Sequence, residues 1–128
     1  MKFKFQSRQV KGKGRGKLLG FPTINLEIPH DFKLISGIYA VKVFIKGQEF
    51  IGALHFGPVP TFNEIQDTLE VFIIDIGPDQ LPETENLDIE IETIKYLRPV
   101  KNYQNQDDLI KQIGKDVEDT RKFAGLVF

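Results

Sequence analysis

The amino-acid sequence predicts an all-β core, a small antiparallel barrel or sandwich, capped by a C-terminal α-helix. Three observations support this prediction. The middle of the chain alternates apolar and polar residues with the period of two that is typical of β-strands. Glycine and proline separate these segments at short intervals. The last segment has the i, i+4 apolar spacing of an amphipathic helix.

The clearest strands form a predicted hairpin. In residues 37–46, tyrosine, valine and isoleucine occupy every second position. Lys46, Gly47 and Gln48 follow, and this composition suits a tight turn into a second strand over residues 49–56. The two segments are therefore expected to pair as antiparallel neighbours.

Two further strands are predicted in the second half of the chain. Residues 68–76 are rich in β-branched and aromatic side chains on both faces, as in a strand that is buried on both sides. Leu87, Ile89 and Ile91 alternate with acidic residues, which predicts a strand with one solvated face. A closed barrel is favoured for these strands because it leaves no unpaired edge.

A helix is predicted at the C-terminal end. Leu109, Ile113, Val117 and Ala124 follow the spacing of one helix face, with Thr120 or Arg121 between them. Asn105 is the predicted N-cap, since two aspartates follow it in the first turn.

Composition excludes several classes of function. The chain of 128 residues is expected to form one domain, residues 1–128, and it has no cysteine for a disulfide, a thiol nucleophile or a zinc-thiolate site. The net charge of -1 argues against a nucleic-acid coat or a polybasic membrane binder. With no long apolar stretch and no apolar signal segment, a cytoplasmic protein is predicted. The two histidines, His30 and His55, are interpreted as incidental.

Charge is segregated along the chain. The first twenty residues contain seven lysines and arginines and no acid, whereas residues 61–94 contain ten acids and no base. Glycines alternate with the cations from Gly12 to Gly20, so main-chain amides and countercharge could contact a phosphate group there. The spacing fits neither a P-loop nor a dinucleotide-binding pattern, and a solvated basic loop is the alternative.

Two further segments carry candidate chemistry. Thr23 and Asn25 present neutral oxygens on one side of an extended segment, which suits Mg²⁺ held mainly by substrate phosphates; hydrogen bonding to local backbone is the alternative. Glu70 lies among apolar residues, where desolvation would raise its pKa and suit it to general-base catalysis. An exposed glutamate on an edge strand is the alternative for Glu70.

Taken together, three blocks resemble the riboflavin kinase family. Residues 12–25 have the pattern Gly-x-Gly-Arg-Gly-x-x-Leu-Gly-Phe-Pro-Thr-x-Asn, which is similar to the opening motif of that family. Residues 57–71, from Gly-Pro-Val-Pro-Thr-Phe to Leu-Glu-Val, resemble its catalytic-base strand. Residues 96–103, followed by a helical segment that includes Asp116, resemble its flavin-side loop and closing helix. The resemblance spans roughly residues 8–123.

The resemblance implies a fold, a reaction and a set of site residues. The fold is a six-stranded antiparallel Greek-key barrel with a C-terminal helix, and the reaction is the phosphorylation of riboflavin to FMN with ATP and Mg²⁺. Glu70 would be the catalytic base. The flavin would be bound by Arg98, Lys101 and Tyr103, and the metal by Thr23 and Asn25. The nucleotide would be bound by Gly12, Lys17, Thr23, Ile73 and Asp75. The expected partners are riboflavin, FMN, ATP and ADP, bound to a monomer, with no nucleic acid and no membrane.

The chain departs from the family pattern at a few positions. His55 and Phe56 stand where a small or amide residue and an aliphatic residue are usual, Phe72 stands where histidine is common, and residues 77–82 replace an aromatic-glycine pair. These changes are expected to alter nucleotide contacts and affinity more than the reaction. Because the chain has no counterpart of the adenylyltransferase module of many bacterial relatives, the product is expected to be FMN rather than FAD, unless the chain is an excised domain.

Two other functions stay open at this point. A non-catalytic flavin or nucleotide sensor built on the kinase barrel is the main alternative, motivated by the departures from the pattern. A barrel that binds single-stranded nucleic acid through the basic N-terminal segment is the third.

Overall fold

The protein is described by a computed structural model that covers residues 2–10, 21–59 and 65–125. The strands are β1 (Lys4–Arg8), β2 (Thr23–Leu26), β3 (Gly37–Ile45), β4 (Gln48–Gly57), β5 (Thr68–Ile73) and β6 (Asp88–Arg98). A short 3-10 helix, Pro78–Gln80, lies between β5 and β6, and one α-helix, α1 (Gln106–Phe123), follows β6.

The six strands form one antiparallel sheet that closes on itself. The strand order is β1-β6-β3-β4-β5-β2, and β6-β3-β4-β5 has the order of a Greek key. The two outermost strands meet at an antiparallel bridge between Gln9 and Leu26. There the main-chain N–H of Val10 donates to the carbonyl of Asn25 at 2.8 Å. The predicted six-stranded antiparallel Greek-key barrel with a C-terminal helix is thereby confirmed.

The barrel interior is filled by the side chains that every second strand residue turns inward. All of them are nearly inaccessible to solvent, and most are aliphatic, which provides the main free energy of folding. They are Ile24, Leu26, Tyr39, Val41, Val43, Ile45, Leu54, Phe56, Leu69, Val71, Ile73, Ile89 and Ile91.

The predicted hairpin is confirmed. β3 and β4 pair in register from Gly37 opposite Phe56 to Ile45 opposite Gln48, which leaves a two-residue loop. Lys46 and Gly47 in this loop have φ of 50° and 77°. Both values lie in the left-handed region that a type I′ hairpin turn requires, and this turn matches the twist of the two strands.

Helix α1 covers part of the outer face of the barrel. Ile38, Ala40 and Ala53 alternate with core residues and so point outward, yet each is buried. α1 packs against β3, β4 and β6 and contributes Val117 and Thr120 to this second layer. The prediction of Asn105 as N-cap is confirmed, since its side chain accepts a hydrogen bond from the main-chain N–H three residues later at 2.9 Å.

β6 differs from its prediction in length and in solvation. It continues to Arg98, with register irregularities against β3, so the start of the predicted flavin-side loop belongs to a strand. The expectation of a solvated face is wrong for Glu92, which is only 7% exposed. Lys2 and Lys4 cover it at 3.2 and 3.6 Å. A hydrogen bond from Lys2 and the attraction of nearby lysines lower the pKa of Glu92 in spite of its burial.

Replacement by valine is expected to have opposite effects on stability at two buried threonines, Thr120 and Thr93. Thr120 is fully buried, and its hydroxyl has no hydrogen-bond partner within the described residues. Replacing it by the isosteric valine removes an unsatisfied polar group, so Thr120→Val is expected to stabilise the fold by about 1 kcal/mol, or about 4 °C in Tm. Thermal unfolding followed by circular dichroism measures this change.

Thr93→Val is the matched control. The Thr93 hydroxyl accepts a hydrogen bond from the main-chain N–H of Phe3 at 2.9 Å, so its loss is expected to lower Tm. A Thr120→Val variant that unfolds earlier than the wild type would contradict the assignment of an unsatisfied hydroxyl.

Candidate functional site

A row of five side chains crosses the outer face of the barrel. Asn25 of β2 lies opposite Glu70 of β5, which lies opposite His55 of β4. His55 in turn lies opposite Ile38 of β3, and Ile38 lies opposite Arg98 of β6. Neighbouring strands are about 4.8 Å apart, so the row extends for about 19 Å along the sheet. Sheet pairing thus brings together residues from three separate blocks of the sequence.

Glu70 is the second residue of this row and lies on an interior strand. β5 is flanked by β2 and β4, and the side chains before and after Glu70 enter the barrel core. Glu70 therefore points outward, yet only 6% of it is exposed. An exposed glutamate on an edge strand, the alternative considered for this residue, is excluded. A buried carboxylate at a fixed position is suited to accept a proton from a bound hydroxyl group.

Thr23 and Asn25 lie on the same outward face of β2, as predicted from their spacing. The Thr23 hydroxyl donates to the carbonyl of Phe21 at 3.3 Å, which is the local backbone hydrogen bond considered as the alternative, and its oxygen can still accept or ligate. Over residues 2–10, 21–59 and 65–125, no group of three or more acidic or histidine side chains could hold a metal ion. Neutral oxygens such as those of Thr23 and Asn25 are the kind of ligand that suits a cation held mostly by phosphate oxygens.

Arg98 is fixed by a buried aspartate from the helix. Its Nε donates to one carboxylate oxygen of Asp116 at 2.8 Å and its Nη2 to the other at 2.7 Å. Gln112 donates to the same carboxylate at 3.1 Å. Burial lowers the pKa of the Arg98 guanidinium, but the hydrogen bonds and attraction of Asp116 outweigh it and raise the pKa overall. The bidentate pair holds Arg98 at the end of the row.

Lys101 and Tyr103 follow Arg98 and lie close to it. The charged ends of Arg98 and Lys101 lie 5.9 and 5.6 Å from the centre of the Tyr103 ring. Burial raises the pKa of the Tyr103 hydroxyl, while the positive charge of Arg98 opposes this change. The three predicted flavin-side residues therefore form one cluster of two cations and an aromatic ring.

The two predicted nucleotide residues on and after β5 lie in different environments. The Ile73 side chain is fully buried in the core, so a nucleotide contact at this position would have to involve the main chain. Asp75 lies just beyond the strand with φ of 64° and accepts a hydrogen bond from Arg121 of α1 at 2.8 Å. This hydrogen bond raises the pKa of the Arg121 guanidinium. Asp75 therefore connects the loop after β5 to the last turns of the helix.

Gly12 and Lys17 lie outside the described residues, and so does the part of the second block over residues 60–64. Their roles stay predictions.

His55 is the residue that sequence reasoning missed. It was interpreted as incidental, but it is the cross-strand neighbour of Glu70. Its Nε2 lies 3.2 Å from the carbonyl oxygen of Pro58, and its Nδ1 lies 3.3 Å from the hydroxyl of Thr68. The indications in the sequence were its departure from the family pattern and its place two residues before the Gly-Pro that opens the second block.

A comparison with protein families decides the classification. Residues 1–124 match the family described as riboflavin kinase (Flavokinase). The chain belongs to the riboflavin kinase family. The resemblance inferred from the three blocks is thereby confirmed.

Curated relatives of this riboflavin kinase family member are longer proteins. The bifunctional riboflavin kinase/FMN adenylyltransferase of Haemophilus influenzae is 33% identical over 122 residues, which is 94% of this chain and 38% of that protein. The RNA-binding riboflavin kinase RibR of Bacillus subtilis is 32% identical over 120 residues, 92% of this chain and 50% of that protein. The chain thus spans well under two thirds of the length of either protein.

A solved structure has the same fold. A Streptococcus pneumoniae protein described as a macrolide-efflux protein superposes with a TM-score of 0.73 at 26% identity, over 92% of this chain and 38% of that one. In the described part of this chain, no helix is long and apolar enough to cross a membrane.

The bidentate pair between Arg98 and Asp116 gives a prediction on stability. Asp116→Ala leaves a largely buried guanidinium without its carboxylate, and we expect a loss of about 3 kcal/mol in the free energy of unfolding. Urea unfolding measures the loss. Asp116→Asn keeps the shape and one acceptor oxygen, so its loss is expected to be smaller. Equal urea midpoints for Asp116→Ala and the wild type would contradict this account.

Proposed function

We propose that this protein phosphorylates the 5′-hydroxyl of the ribityl chain of riboflavin with ATP, giving FMN and ADP, and that residues 1–128 act as one catalytic domain. The observation that carries the proposal is the position of Glu70, a buried carboxylate that faces outward beside Asn25 on an interior strand. Membership of the riboflavin kinase family supports it. The reaction needs one base and several groups that position and neutralise phosphates, and no thiol.

In the proposed reaction Glu70 removes the proton from the ribityl hydroxyl. The freed oxygen forms a bond to the γ-phosphorus of ATP, and the bond from that phosphorus to the β,γ-bridging oxygen breaks, with ADP as the leaving group. The fixed strand register supports this role, because a base that is held in place contributes more than one that must be ordered during the reaction. The proton stays on the Glu70 carboxyl until the product leaves.

The phosphate end of the site would lie at β2. Thr23 and Asn25 would hold Mg²⁺ together with phosphate oxygens, and their neutral oxygen donors support this assignment. When bound, Mg²⁺ supplies neutralisation of the negative charge on the transferred phosphoryl group. Gly12 and Lys17 are proposed to contact the phosphates, with Asp75 and the main chain at Ile73 on the nucleotide.

The flavin end would lie at the opposite end of the row. Arg98, Lys101 and Tyr103 combine an aromatic ring with two cations, a chemistry that suits a flat, polar ring system. Arg98 is three strands from Glu70, about 14 Å along the sheet. Riboflavin as a whole, the flavin ring together with its ribityl chain, would cover this distance from the flavin-side cluster to the base.

The proposed ligands are riboflavin, FMN, ATP and ADP. The net charge of -1 supports the expectation that neither nucleic acid nor a membrane is a partner. We also propose that the protein acts as a monomer in the cytoplasm.

Glu70→Gln tests the role of the base. The amide has nearly the same shape but cannot accept the proton, so we expect kcat to fall by about 100- to 10,000-fold with riboflavin affinity nearly unchanged. Chromatographic separation of FMN from riboflavin after incubation with ATP and Mg²⁺ measures the rate. Glu90→Gln, the same substitution on β6, is the control and should leave kcat unchanged.

The outcome of this assay separates the enzyme from its alternative. A Glu70→Gln rate equal to that of the wild type would remove Glu70 as the base. A wild-type protein that is folded and binds FMN but never forms it would refute the kinase activity and support the non-catalytic flavin-binding barrel.

Asn25→Ala tests the metal assignment. Loss of one oxygen ligand is expected to raise the Mg²⁺ concentration for half-maximal rate by about tenfold, while the rate at saturating Mg²⁺ changes little. The rate as a function of Mg²⁺ concentration measures this shift. Thr23→Ser retains the hydroxyl oxygen and is expected to keep the wild-type requirement. An unchanged Mg²⁺ dependence in Asn25→Ala would place Asn25 outside the metal site.

A further inference from the structure

We propose that His55 is a positioning residue for Glu70, an inference that rests on the proposed function of Glu70 as the base. The two residues are direct partners across β4 and β5, which places their Cβ atoms about 5 Å apart on the same face of the sheet. Glu70 is buried and His55 is half-buried, so the imidazole forms part of the wall beside the carboxylate.

Two contacts hold the imidazole ring of His55 in one orientation. Nε2 lies 3.2 Å from the carbonyl oxygen of Pro58, and because a carbonyl only accepts, Nε2 must carry a hydrogen. Nδ1 lies 3.3 Å from the hydroxyl of Thr68. In the neutral ring Nδ1 is then an acceptor, and the Thr68 hydroxyl shares its one hydrogen between Nδ1 and the carbonyl of Gly57. A ring fixed at both nitrogens cannot rotate freely about its side-chain bonds.

Thr68 connects this network to the same strand as the base. It lies two residues before Glu70 on β5, so the two side chains point to the same face. The Thr68 hydroxyl donates to the carbonyl of Gly57, its own cross-strand partner, at 3.3 Å. His55 and Thr68 therefore hold the end of β4 against the start of β5, directly beside the carboxylate.

This arrangement predicts an effect on catalysis rather than on binding. An alanine at position 55 would leave open space next to Glu70, and the carboxylate would gain alternative rotamers and water contacts. A base displaced by about 1 Å loses about 100-fold in rate. The flavin-side cluster at Arg98 and the neutral oxygens of β2 do not depend on the ring of His55, so substrate affinity should be kept.

The first test compares kinetics and binding in His55→Ala. We expect kcat to fall by about 10- to 100-fold, with the dissociation constants for riboflavin and ATP changed by less than about threefold. His55→Gln retains a donor for the carbonyl of Pro58, and His55→Asn retains a partner for Thr68, so both should have kcat values between those of alanine and histidine. His30→Asn is the control, because His30 lies in the exposed loop between β2 and β3.

A second variant separates positioning from a loss of fold. Thr68→Val removes the hydroxyl and keeps the shape of the side chain, and we expect it to lower kcat in the same direction. Because both residues act through one network, the double variant His55→Ala, Thr68→Val should be no slower than His55→Ala alone. Additive losses in kcat, or equal losses in kcat and in both affinities, would overturn the proposal.

A third measurement is independent of turnover. His30→Asn leaves His55 as the single histidine of the chain. Its ring nitrogens can then be observed by ¹⁵N NMR, and a hydrogen on Nε2 is the expected result. A ring with a hydrogen on Nδ1 and none on Nε2 would overturn the proposed orientation.

These experiments also distinguish a failure of the His55 proposal from a failure of the proposed kinase function. An active wild-type enzyme with an unchanged kcat in His55→Ala would refute the role of His55 alone. A wild-type protein that binds riboflavin and ATP without forming FMN would refute the proposed function, and with it any role of His55 in the reaction.

Discussion

The register in which β5 pairs with β2 and β4 is the constraint on which the candidate site depends. Leu69 and Val71 enter the barrel core, and Glu70 between them must therefore face outward. A shift of the register by one residue would place the carboxylate in the apolar interior and expose two aliphatic side chains. Hydrophobic burial opposes that shift strongly. The core thus determines the face on which Glu70 and the other candidate site residues lie, although no core side chain belongs to the candidate site.

Helix α1 adds a second constraint, because it is tied to the sheet at both ends of the site. Asp116 holds Arg98 at the end of β6, and Arg121 pairs with Asp75 beyond the end of β5. Between these pairs the helix lies against the outer face of β3 and β4, where the small side chains of Ala40 and Ala53 face each other. The predicted flavin-side and nucleotide-side residues therefore take their positions from one rigid element.

Patterns in the sequence predicted those elements of the fold that form between residues close together in the chain. Alternation and turn composition were enough for the β3–β4 hairpin, and spacing and an N-cap were enough for α1. β1 and β2 were not identified as strands, because both are short and gain their hydrogen bonds from partners far along the chain. The same limit applies to the site. The motif resemblance gave Glu70 and Arg98 as candidate site residues, but the pairing of His55 with Glu70 exists only in the folded sheet.

The separation of basic and acidic residues along the sequence also corresponds to a pairing between distant strands. In the β1–β6 pair Lys4 lies opposite Glu92, and Arg8 lies opposite Asp88 with a hydrogen bond of 2.9 Å between them. Part of the basic N-terminal segment thus neutralises part of the acidic one across neighbouring strands. β1 also closes the barrel onto β2, the strand that carries Asn25. Ion pairs that keep β1 on β6 therefore help to set the position of β2, and through it the metal side of the proposed site.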